Sequence, residues 1–390
     1  MYRNTYVSIK GDVLKKNIIE IKKHYPDYQY YIGVVKGNAY GHGIYCVNSL
    51  IQGGVNYLAV SSLEEALSIR TYQKEIPILC LEPISISSID IARENKITLT
   101  VESYEYLKEL QKKLQNRIKI HLKLDTGMNR LGIKEKEELL EILKEIKKDK
   151  NIELEGIYTH FATQGVHDIY WDKQYQKFQY LLEGIDLSTI KIIHMGRSLT
   201  LVNHDKPDFV NGIRLGIIMY GFNQSISLGY GILGKLRQYK RKLYLKKAKI
   251  SSTHLSNSLS LSTAFSLYTE VMSIKKVKAG EVIGYRALYR AKEDMKVAVL
   301  PIGYADGMSE KLKEVVINGK KYPIVGEICM DMTMIKIDDQ VSLYDKVEIF
   351  GNTISIKEAA LKKESNVYQL FLSITSRVPR VYDDQNEIKY

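Results

Sequence analysis

The chain has 390 residues, of which 45% are hydrophobic and 26% are charged. This length exceeds one ordinary domain, and the composition is typical of a globular protein. No apolar run approaches bilayer length and the opening MYRNTYVSIKGD is polar, so we expect neither a membrane span nor a signal peptide. The cysteines lack the spacing of a disulfide framework or a zinc site, so we expect a cytoplasmic protein without a metal.

The formal net charge is +12, from 57 basic and 45 acidic residues. Such an excess can indicate a nucleic-acid or anionic-membrane partner. However, lysines and glutamates are interleaved along a predicted amphipathic helix at 134–150, and further lysines lie in a connector at 235–249. We therefore interpret the charge as solvated surface that also attracts phosphate and carboxylate groups, and we predict neither nucleic acid nor membrane as a partner.

The spacing of apolar residues predicts a strand at 4–10, a helix from Gly11-Asp12 to about Tyr25, and a buried strand at 31–35. Strands and helices then alternate. Further strands are predicted at 57–60, 78–81, 98–101, 118–123, 154–158, 190–194 and 209–214, with helices that include 44–53, 63–72, 103–115, 135–148 and 170–184. Eight such units favour a (β/α)8 barrel, whose chemistry lies at the C-terminal strand ends.

The pattern changes near 224–249 to a basic, glycine-containing connector. Beyond it, period-two stretches separated by turns such as Asn318-Gly319 predict β-structure, with helical patches near 356–364 and 368–376. The predicted fold class is therefore α/β: a (β/α)8 TIM-like barrel followed by a mainly β C-terminal domain. We place the barrel domain at 1–235 and the second domain at 236–390.

Lys36 ends the buried strand at 31–35 and precedes the glycine-rich stretch GNAYGHG, which we expect to interrupt regular structure. Partial burial lowers the pKa of such a lysine and makes a neutral, nucleophilic amine accessible near pH 7. A Schiff-base lysine needs this property. By spacing alone, a solvated lysine at a strand end is the more common case.

The residues around Lys36 decide between these interpretations. VVKGNAYGHG resembles the motif of the alanine racemase family in which a lysine holds pyridoxal 5'-phosphate (PLP), although the family usually has alanine at the position of Gly37. The resemblance implies that Lys36 carries the cofactor and that Tyr40 binds its phosphate. Further segments resemble family motifs, in the family's order, from about residue 5 to residue 383.

The resemblance assigns roles at other predicted strand ends. In KLDTGMNRLG, Arg130 corresponds to an arginine that approaches the cofactor's phenolic oxygen and the substrate carboxylate. Lys123 corresponds to a lysine that is sometimes carbamylated, and an ordinary ion pair is the alternative that the sequence leaves open. His160, in YTHFA, corresponds to the histidine beside the cofactor ring.

The expected phosphate site combines two further segments. In HMGRS, Ser198 corresponds to a phosphate-binding serine and His194 to a nearby histidine, whereas Arg197 replaces the usual asparagine and adds a charge. In RLGI, the backbone amides at Gly216 and Ile217 correspond to a phosphate cradle.

Arg214 matters more for mechanism. The resemblance places it at the pyridine nitrogen of the cofactor. An arginine there stays protonated, so the ring nitrogen stays unprotonated and PLP becomes a weaker electron sink. This suppresses transamination and favours the return of a proton to the substrate.

GEVIGY resembles the segment that bears the catalytic tyrosine, here Tyr285, with Arg286 in place of the usual glycine. A tyrosine pKa near 10 makes a poor base at pH 7, but Schiff-base charge and a relay through His160 and Arg214 make deprotonation plausible. In the family this tyrosine comes from the other subunit. The resemblance therefore implies a homodimer with shared active sites, in which Lys36 and Tyr285 are catalytic bases on opposite faces of the substrate.

PIGYADG and VGEICMDM imply that Met330 and Asp331 line the substrate carboxylate side and that Tyr304 lines the entrance. In SITSRVPR, Ser376 stands where the family usually has a tyrosine that contacts phosphate and narrows the side-chain pocket. A serine leaves more room beside the substrate Cβ. We therefore hypothesise that serine or another small polar amino acid is accepted as well as, or instead of, alanine.

The predicted function is PLP-dependent racemisation of alanine or a close relative such as serine, with D-amino-acid supply for bacterial cell-wall precursors as the implied context. One alternative is a decarboxylase of the same architecture, in which a carboxylate usually faces the pyridine nitrogen. The other is a non-catalytic PLP-binding protein, which resembles the barrel alone. Arg214 disfavours the first alternative, and a second domain bearing Tyr285 disfavours the second.

Overall fold

The computed structural model describes residues 3–163, 169–196, 198, 201, 204, 206–222, 236, 239, 240, 243, 259–362, 364–383, 388 and 389. The chain divides into two compact units. The barrel unit comprises Leu14–Gly37 and Val47–Ser262, and the β unit comprises Met1–Val13, Asn38–Cys46 and Thr263–Tyr390. Within the described ranges, no helix has the length and apolar character needed to cross a bilayer.

The strands of the described residues are, in chain order, β1 (Tyr6–Ile9), β2 (Tyr30–Val34), β3 (Tyr57–Val60), β4 (Ile78–Cys80), β5 (Ile97–Val101), β6 (Ile118–Leu124), β7 (Ile152–Thr159), β8 (Ile192–Gly196), β9 (Gly212–Leu215), β10 (Phe265–Glu270), β11 (Ser273–Val277), β12 (Val282–Ile283), β13 (Tyr289–Arg290), β14 (Met295–Leu300), β15 (Glu314–Ile317), β16 (Lys320–Pro323), β17 (Thr333–Ile337), β18 (Lys346–Phe350), β19 (Arg380–Tyr382) and β20 (Ile388–Lys389). The helices are α1 (Gly11–His24), α2 (Lys36–Tyr40), α3 (Val47–Gly53), α4 (Leu63–Arg70), α5 (Ile89–Glu94), α6 (Tyr104–Lys113), α7 (Lys136–Lys148), α8 (Ile169–Leu182), α9 (Ile356–Lys362) and α10 (Val367–Ser373).

Strands β2 to β9 form a closed parallel barrel, because β2 pairs with both β3 and β9. Several of these strands are apolar throughout and buried along their whole length, as in Tyr57–Val60 and Ile78–Cys80, which is the pattern of strands covered on both faces. The structure confirms the predicted (β/α)8 barrel followed by a mainly β part. The C-terminal ends of all eight strands therefore meet at one edge, where functional side chains of this fold collect.

The first strand belongs to the β unit and not to the barrel. β1 pairs antiparallel with β10 and parallel with β19, and the hydroxyl groups of Thr5 and Thr269 are 2.8 Å apart beside it. This differs from the predicted barrel domain at 1–235, because a local pattern identifies a strand without identifying its neighbour. The predicted boundary between 235 and 236 falls in a stretch of which only isolated residues are described.

The β unit contains a seven-stranded sheet in the order β16-β15-β18-β10-β1-β19-β20, a three-stranded sheet in the order β11-β14-β17, and the hairpin β12-β13. Three of its connecting segments, 303–307, 329–331 and 373–377, interlock through backbone hydrogen bonds. The amide of Tyr304 donates to Cys329 O (3.1 Å), that of Ala305 to Met330 O (3.0 Å), and that of Thr375 to Asp306 O (3.2 Å). We call these three segments the loop cluster.

A substitution at Gly307 tests the contacts that join the segments of the loop cluster. Its φ is 98°, and a Cβ there would clash with the carbonyl oxygen of Ser373. Gly319 has a similar φ of 77° but open space around it. We expect Gly319→Ala to lower the free energy of unfolding by about 1 kcal/mol from backbone strain alone, and Gly307→Ala to lower it by roughly 3 kcal/mol. Urea denaturation of both variants measures this, and equal losses would contradict the interlock.

Candidate functional site

Lys36 lies at the C-terminal end of the first barrel strand, half-buried, after the buried residue Val35. The sequence predicts irregular structure after it, but the structure has a short left-handed helical turn: φ is 62° at Gly37, 51° at Asn38, and 53° at both Ala39 and Tyr40. This conformation costs roughly 1–2 kcal/mol for each residue that has a Cβ. The turn is therefore a strained segment that the surrounding structure has to hold in place.

Within the barrel unit, Glu65 fixes the start of this turn. The amide of Gly37 donates to Oε1 of Glu65 (2.6 Å), and the amide of Ser61 donates to the other carboxylate oxygen (2.9 Å). The backbone that directly follows Lys36 is thus tied to the end of the neighbouring strand β3. This contact limits how far the lysine can move.

The rest of the turn is held within the β unit. Nε of Arg380 donates to Gly41 O (3.0 Å), and the hydroxyl of Tyr382 donates to His42 O (2.8 Å). The Arg380 guanidinium also donates to the carbonyl oxygens of residues 374, 375 and 378. The buried His42 ring packs between Phe265 and Phe371, and burial lowers its pKa to about 3. These contacts hold the segment that directly follows Tyr40. The ring centroid of Tyr40 lies 5.8 Å from that of Tyr368.

Arg214, on β9, is almost fully buried. Its guanidinium donates to three backbone carbonyls, those of Thr159 (2.6 Å), His194 (3.2 Å) and Met195 (3.2 Å). It also donates to Nδ1 of His194 (2.7 Å), and Nη2 lies 3.3 Å from Nδ1 of His160. The structure thus brings Arg214 and His160 together at the barrel's C-terminal edge, as the sequence predicts.

Ser198, Gly216 and Ile217 lie together after β8 and β9, which are neighbouring strands. Oγ of the buried Ser198 accepts a hydrogen bond from the amide of Gly216 (3.1 Å). A hydroxyl and consecutive backbone amides at one place supply the donors that a phosphate group needs. The predicted change at Arg197 lies outside the described residues.

Lys123 is buried near the C-terminal end of β6, and Arg130 lies exposed in the loop that follows. The carboxylate of Asp125 orders this loop by accepting from the amides of Gly127 (2.9 Å) and Asn129 (3.1 Å). Burial, followed by the charges of Arg130 and Arg214, lowers the pKa of Lys123 to about 8. These cations therefore lie close enough to influence each other.

Four predicted site residues of the β unit line two clefts that share Tyr285. Tyr285 is 66% exposed and begins a short helical turn after Gly284, whose φ is 78°. One side of Tyr285 shares a cleft with Tyr304, and the other side shares an adjoining cleft with Met330 and Asp331. The structure therefore brings these four predicted residues together.

Arg286 and Ser376 are the two departures from the family pattern that lie in the β unit. Nε of Arg286 donates to Oε2 of Glu327 (3.0 Å), so its charge is paired beside Tyr285. Ser376 lies exposed in a turn of the loop cluster, next to Arg377, which donates to Oδ1 of Asp331 (2.6 Å). Ser376 is therefore one residue away from an ion pair to a predicted substrate-binding residue.

Sequence reasoning missed two features of the barrel unit. His121 is buried in the barrel and continues the hydrogen-bonded chain that starts at Arg214 and His194, and the buried Glu155 lies within ion-pair distance of His121. A signal for His121 was present, because it lies two positions before Lys123 and side chains two apart in a strand share one face. Glu155 gave no comparable signal.

The donor set of the barrel unit fits PLP. Lys36 supplies an amine, Ser198 with the amides of Gly216 and Ile217 supplies phosphate donors, and Arg214 supplies a fixed, buried cation. These are the groups that a PLP site provides for the aldehyde, the phosphate and the ring nitrogen. The residues present in this unit are thus chemically compatible with this cofactor.

Comparison with known proteins agrees with this geometry. Residues 9–224 match the family model "Alanine racemase, N-terminal domain", and residues 264–382 match "Alanine racemase, C-terminal domain". Alanine racemase 1 of Bacillus subtilis (strain 168) is 32% identical over 396 residues, covering 99% of this chain and 95% of that protein.

Two solved structures are similar over nearly the whole chain. Alanine racemase from Bacillus anthracis with bound L-Ala-P has a TM-score of 0.84 and 34% identity, covering 100% of this chain and 97% of that one. Alanine racemase of Clostridium difficile 630 has a TM-score of 0.85 and 31% identity, covering 99% and 97%. The chain therefore belongs to the alanine racemase family, a family that uses pyridoxal 5'-phosphate.

Proposed function

We propose that this chain is a PLP-dependent racemase that interconverts L- and D-alanine. The observation that carries the proposal is the buried guanidinium of Arg214, which can only donate hydrogen bonds. A decarboxylase of this architecture would be expected to carry a carboxylate at this position, and nothing in the comparisons favours one. When bound, PLP withdraws electrons from the substrate Cα and makes its proton removable.

The two bases of the proposed reaction are Lys36 and Tyr285. Nζ of Lys36 takes a proton from, or returns one to, Cα on one face of the substrate. Oη of Tyr285 does the same on the opposite face, with His160 and Arg214 as its relay. Racemisation needs both groups, because removal and return on the same face would restore the starting enantiomer.

We also propose that Tyr285 acts in the active site of a second copy of the chain. Several apolar side chains that line its cleft are exposed, including Val282 at 46% and Met330 at 52%. Exposed apolar side chains of this kind mark interaction surfaces, and a symmetric dimer would remove them from water. Met330, Asp331 and Tyr304 would then line the partner's substrate site together with Tyr285.

Tyr285→Phe tests the proposed base. We expect racemisation in both directions to fall by at least about a hundredfold, because the hydroxyl that exchanges the proton is lost. The absorbance of bound PLP should persist. Tyr344→Phe, at an exposed tyrosine of the same unit, serves as the control and should keep full activity. Loss of cofactor in Tyr285→Phe would instead assign the tyrosine a structural role.

Mixed dimers test the shared site. Lys36→Ala and Tyr285→Phe chains are each expected to be inactive. If Tyr285 serves the partner's site, a hybrid of the two variants contains one intact site and one doubly defective site. When equal amounts of the two variants exchange subunits at random, half of the dimers are hybrids, and about a quarter of wild-type activity should be restored. No recovery despite hybrid formation, checked with two affinity tags, would place Tyr285 and Lys36 of one chain in the same site.

The substrate range is proposed to include serine. Ser376 is exposed in the loop cluster beside the Arg377–Asp331 ion pair, and its side chain is short where the family usually has tyrosine. The missing phenol leaves room beside the substrate Cβ for a hydroxyl group. It also leaves one fewer donor to the cofactor phosphate.

Ser376→Tyr tests this proposal. We expect it to lower kcat/KM for L-serine by about tenfold or more relative to L-alanine, since a filled pocket discriminates by roughly 1–3 kcal/mol. Both rates are measured with wild-type and variant by chiral chromatography, with Ser373→Ala as a control in the same segment. A strict alanine preference that the substitution does not change would contradict the proposal.

We further propose that Lys123 is carbamylated. A pKa of about 8 leaves about a tenth of this amine neutral at pH 7, and only the neutral amine reacts with CO₂, releasing a proton. The resulting anion would lie near Arg130 and Arg214, so it would be stabilised by charge. A cytoplasmic location, where CO₂ and bicarbonate are abundant, is part of this proposal.

Carbon-13 NMR of protein equilibrated with ¹³C-bicarbonate measures the modification. One carbamate signal is expected to grow as the pH rises through 8 and to be missing in Lys123→Gln. Lys119→Gln is the control, because hydrogen bonding to Glu155 raises the pKa of Lys119 and keeps its amine charged. Identical spectra for the wild type and Lys123→Gln would assign Lys123 to the ion-pair alternative.

A further inference from the structure

A line of polar side chains runs from Arg214 into the interior of the barrel, one from each of four consecutive strands. Nη1 of Arg214 (β9) lies 2.7 Å from Nδ1 of His194 (β8), and Nε2 of His194 lies 3.0 Å from Nδ1 of His121 (β6). Nε2 of His121 lies 3.5 Å from Oε2 of Glu155 (β7), within ion-pair distance, and makes no hydrogen bond among the described residues. Both imidazoles and the carboxylate are essentially inaccessible to solvent.

We propose that Glu155 is a positioning residue that fixes the tautomers of His121 and His194 and thereby the orientation of Arg214. The proposal rests on the proposed function, in which Arg214 faces the cofactor ring. Its core is an alternation of donors and acceptors along the line. That alternation can be derived atom by atom from the Arg214 end.

A guanidinium has no acceptor, so Nδ1 of His194 must be unprotonated to receive its hydrogen bond. The proton of a neutral His194 is then on Nε2, which makes Nδ1 of His121 the acceptor. The proton of a neutral His121 is consequently on Nε2, facing Glu155. Each ring thus has only one tautomer that places a donor opposite an acceptor at every step.

Both rings are neutral for a physical reason. Burial lowers the pKa of His121 and of His194, and the positive charge of Arg214 lowers both further; at His121 the nearby Glu155 carboxylate opposes this shift without reversing it. A doubly protonated His194 would set an N–H against the Arg214 guanidinium at 2.7 Å. The charged form is therefore excluded at the ring that contacts Arg214.

The far end of the line is built to keep Glu155 an acceptor. Oε2 accepts from the hydroxyl of Tyr57 (2.7 Å), and Oε1 accepts from Nζ of Lys119 (2.9 Å) and of Lys191 (3.4 Å). The nearby His121 ring and hydrogen bonds from Tyr57 and Lys119 outweigh burial and lower the pKa of Glu155. Oε2 is therefore left ionised and directed at His121.

The local backbone makes room for this contact. Ile120 pairs with Leu154 but His121 pairs with Gly156, so Glu155 is the extra residue of a β-bulge. Bulges re-aim one side chain and often occur near functional sites. A Cβ on Gly156 would come within 2.6 Å of the His121 ring, so a side chain there would displace the imidazole.

His194 is also held against rotation of its ring. Tyr158 stacks on it with centroids 4.7 Å apart and planes 16° apart. The Tyr158 hydroxyl is bonded to Thr100 and donates to Leu81 O (3.0 Å). With the ring fixed, the tautomer alone decides whether Arg214 meets a lone pair or an N–H.

Glu155→Gln tests the proposal, because the side-chain amide has one oxygen and one NH₂ group where the carboxylate has two oxygens. The two lysines favour the carbonyl oxygen at the Oε1 position, which leaves the NH₂ group facing His121. His121 then has to accept at Nε2, so both rings are expected to change from the Nε2–H to the Nδ1–H tautomer. Nitrogen-15 NMR of histidine-labelled holoenzyme distinguishes the two forms, with His121→Gln and His194→Gln used for assignment.

The expected functional consequence is a change at Arg214. An Nδ1–H on His194 would face the N–H groups of the Arg214 guanidinium and repel them. We therefore expect the absorption band of bound PLP to shift and kcat to fall about tenfold or more, because a wrong histidine tautomer is known to lower kcat in other enzymes. Glu153→Gln is the matched control, since it changes an ion-paired carboxylate two positions earlier on β7. It should leave tautomers, absorption and kcat unchanged.

The nitrogen-15 spectrum of the wild type tests the proposal by itself, even if Glu155→Gln does not fold. An imidazolium or an Nδ1–H form at either ring in the wild type would overturn it, and so would unchanged tautomers in folded Glu155→Gln. Wild-type protein with the expected tautomers but no racemase activity would leave the positioning of Arg214 intact and refute the proposed function instead. The two failures are therefore distinguishable.

Discussion

The barrel site depends on one constraint: the buried guanidinium of Arg214 donates hydrogen bonds and cannot accept them. Because it can only donate, every group around it has to accept: three backbone carbonyls and two imidazole nitrogens. In the proposed function Arg214 faces the pyridine nitrogen of the cofactor, where a carboxylate would allow proton transfer to that nitrogen, whereas a guanidinium does not release its proton. This one choice of residue favours a chemistry in which a proton is returned to carbon.

A second constraint is the strained turn that follows Lys36. Three consecutive residues with side chains adopt left-handed angles there, at a cost of roughly 1–2 kcal/mol each. Glu65 ties down its beginning in the barrel unit, and Arg380 with Tyr382 ties down its continuation in the β unit. The contacts made by these three side chains offset the strain and limit the positions of Lys36 and Tyr40.

The β unit presents its residues differently, on an exposed surface and not in a buried core. Backbone hydrogen bonds between three segments place Tyr304, Met330 and Ser376 in one loop cluster. Gly303 and Gly307 are required where these segments meet, because a Cβ at either position would clash with a neighbouring carbonyl. Because these contacts are made by the backbone, a change of side chain at a position such as Ser376 leaves them in place.

The sequence by itself determined the eight strand–helix units, the change to β-structure in the second half, and the motif around Lys36, because each is a local pattern of spacing or identity. It could also indicate Arg214, His160 and Ser198 as neighbours, since parallel strands end at one edge. Only the tertiary structure decided that strand Tyr6–Ile9 pairs outside the barrel, that residues 37–40 turn left-handed, and that Glu155 meets His121. The physical reason is common to all three: a local pattern gives a strand its faces and a turn its flexibility, but pairing, strain and a bulge are settled by contacts between residues far apart in the chain.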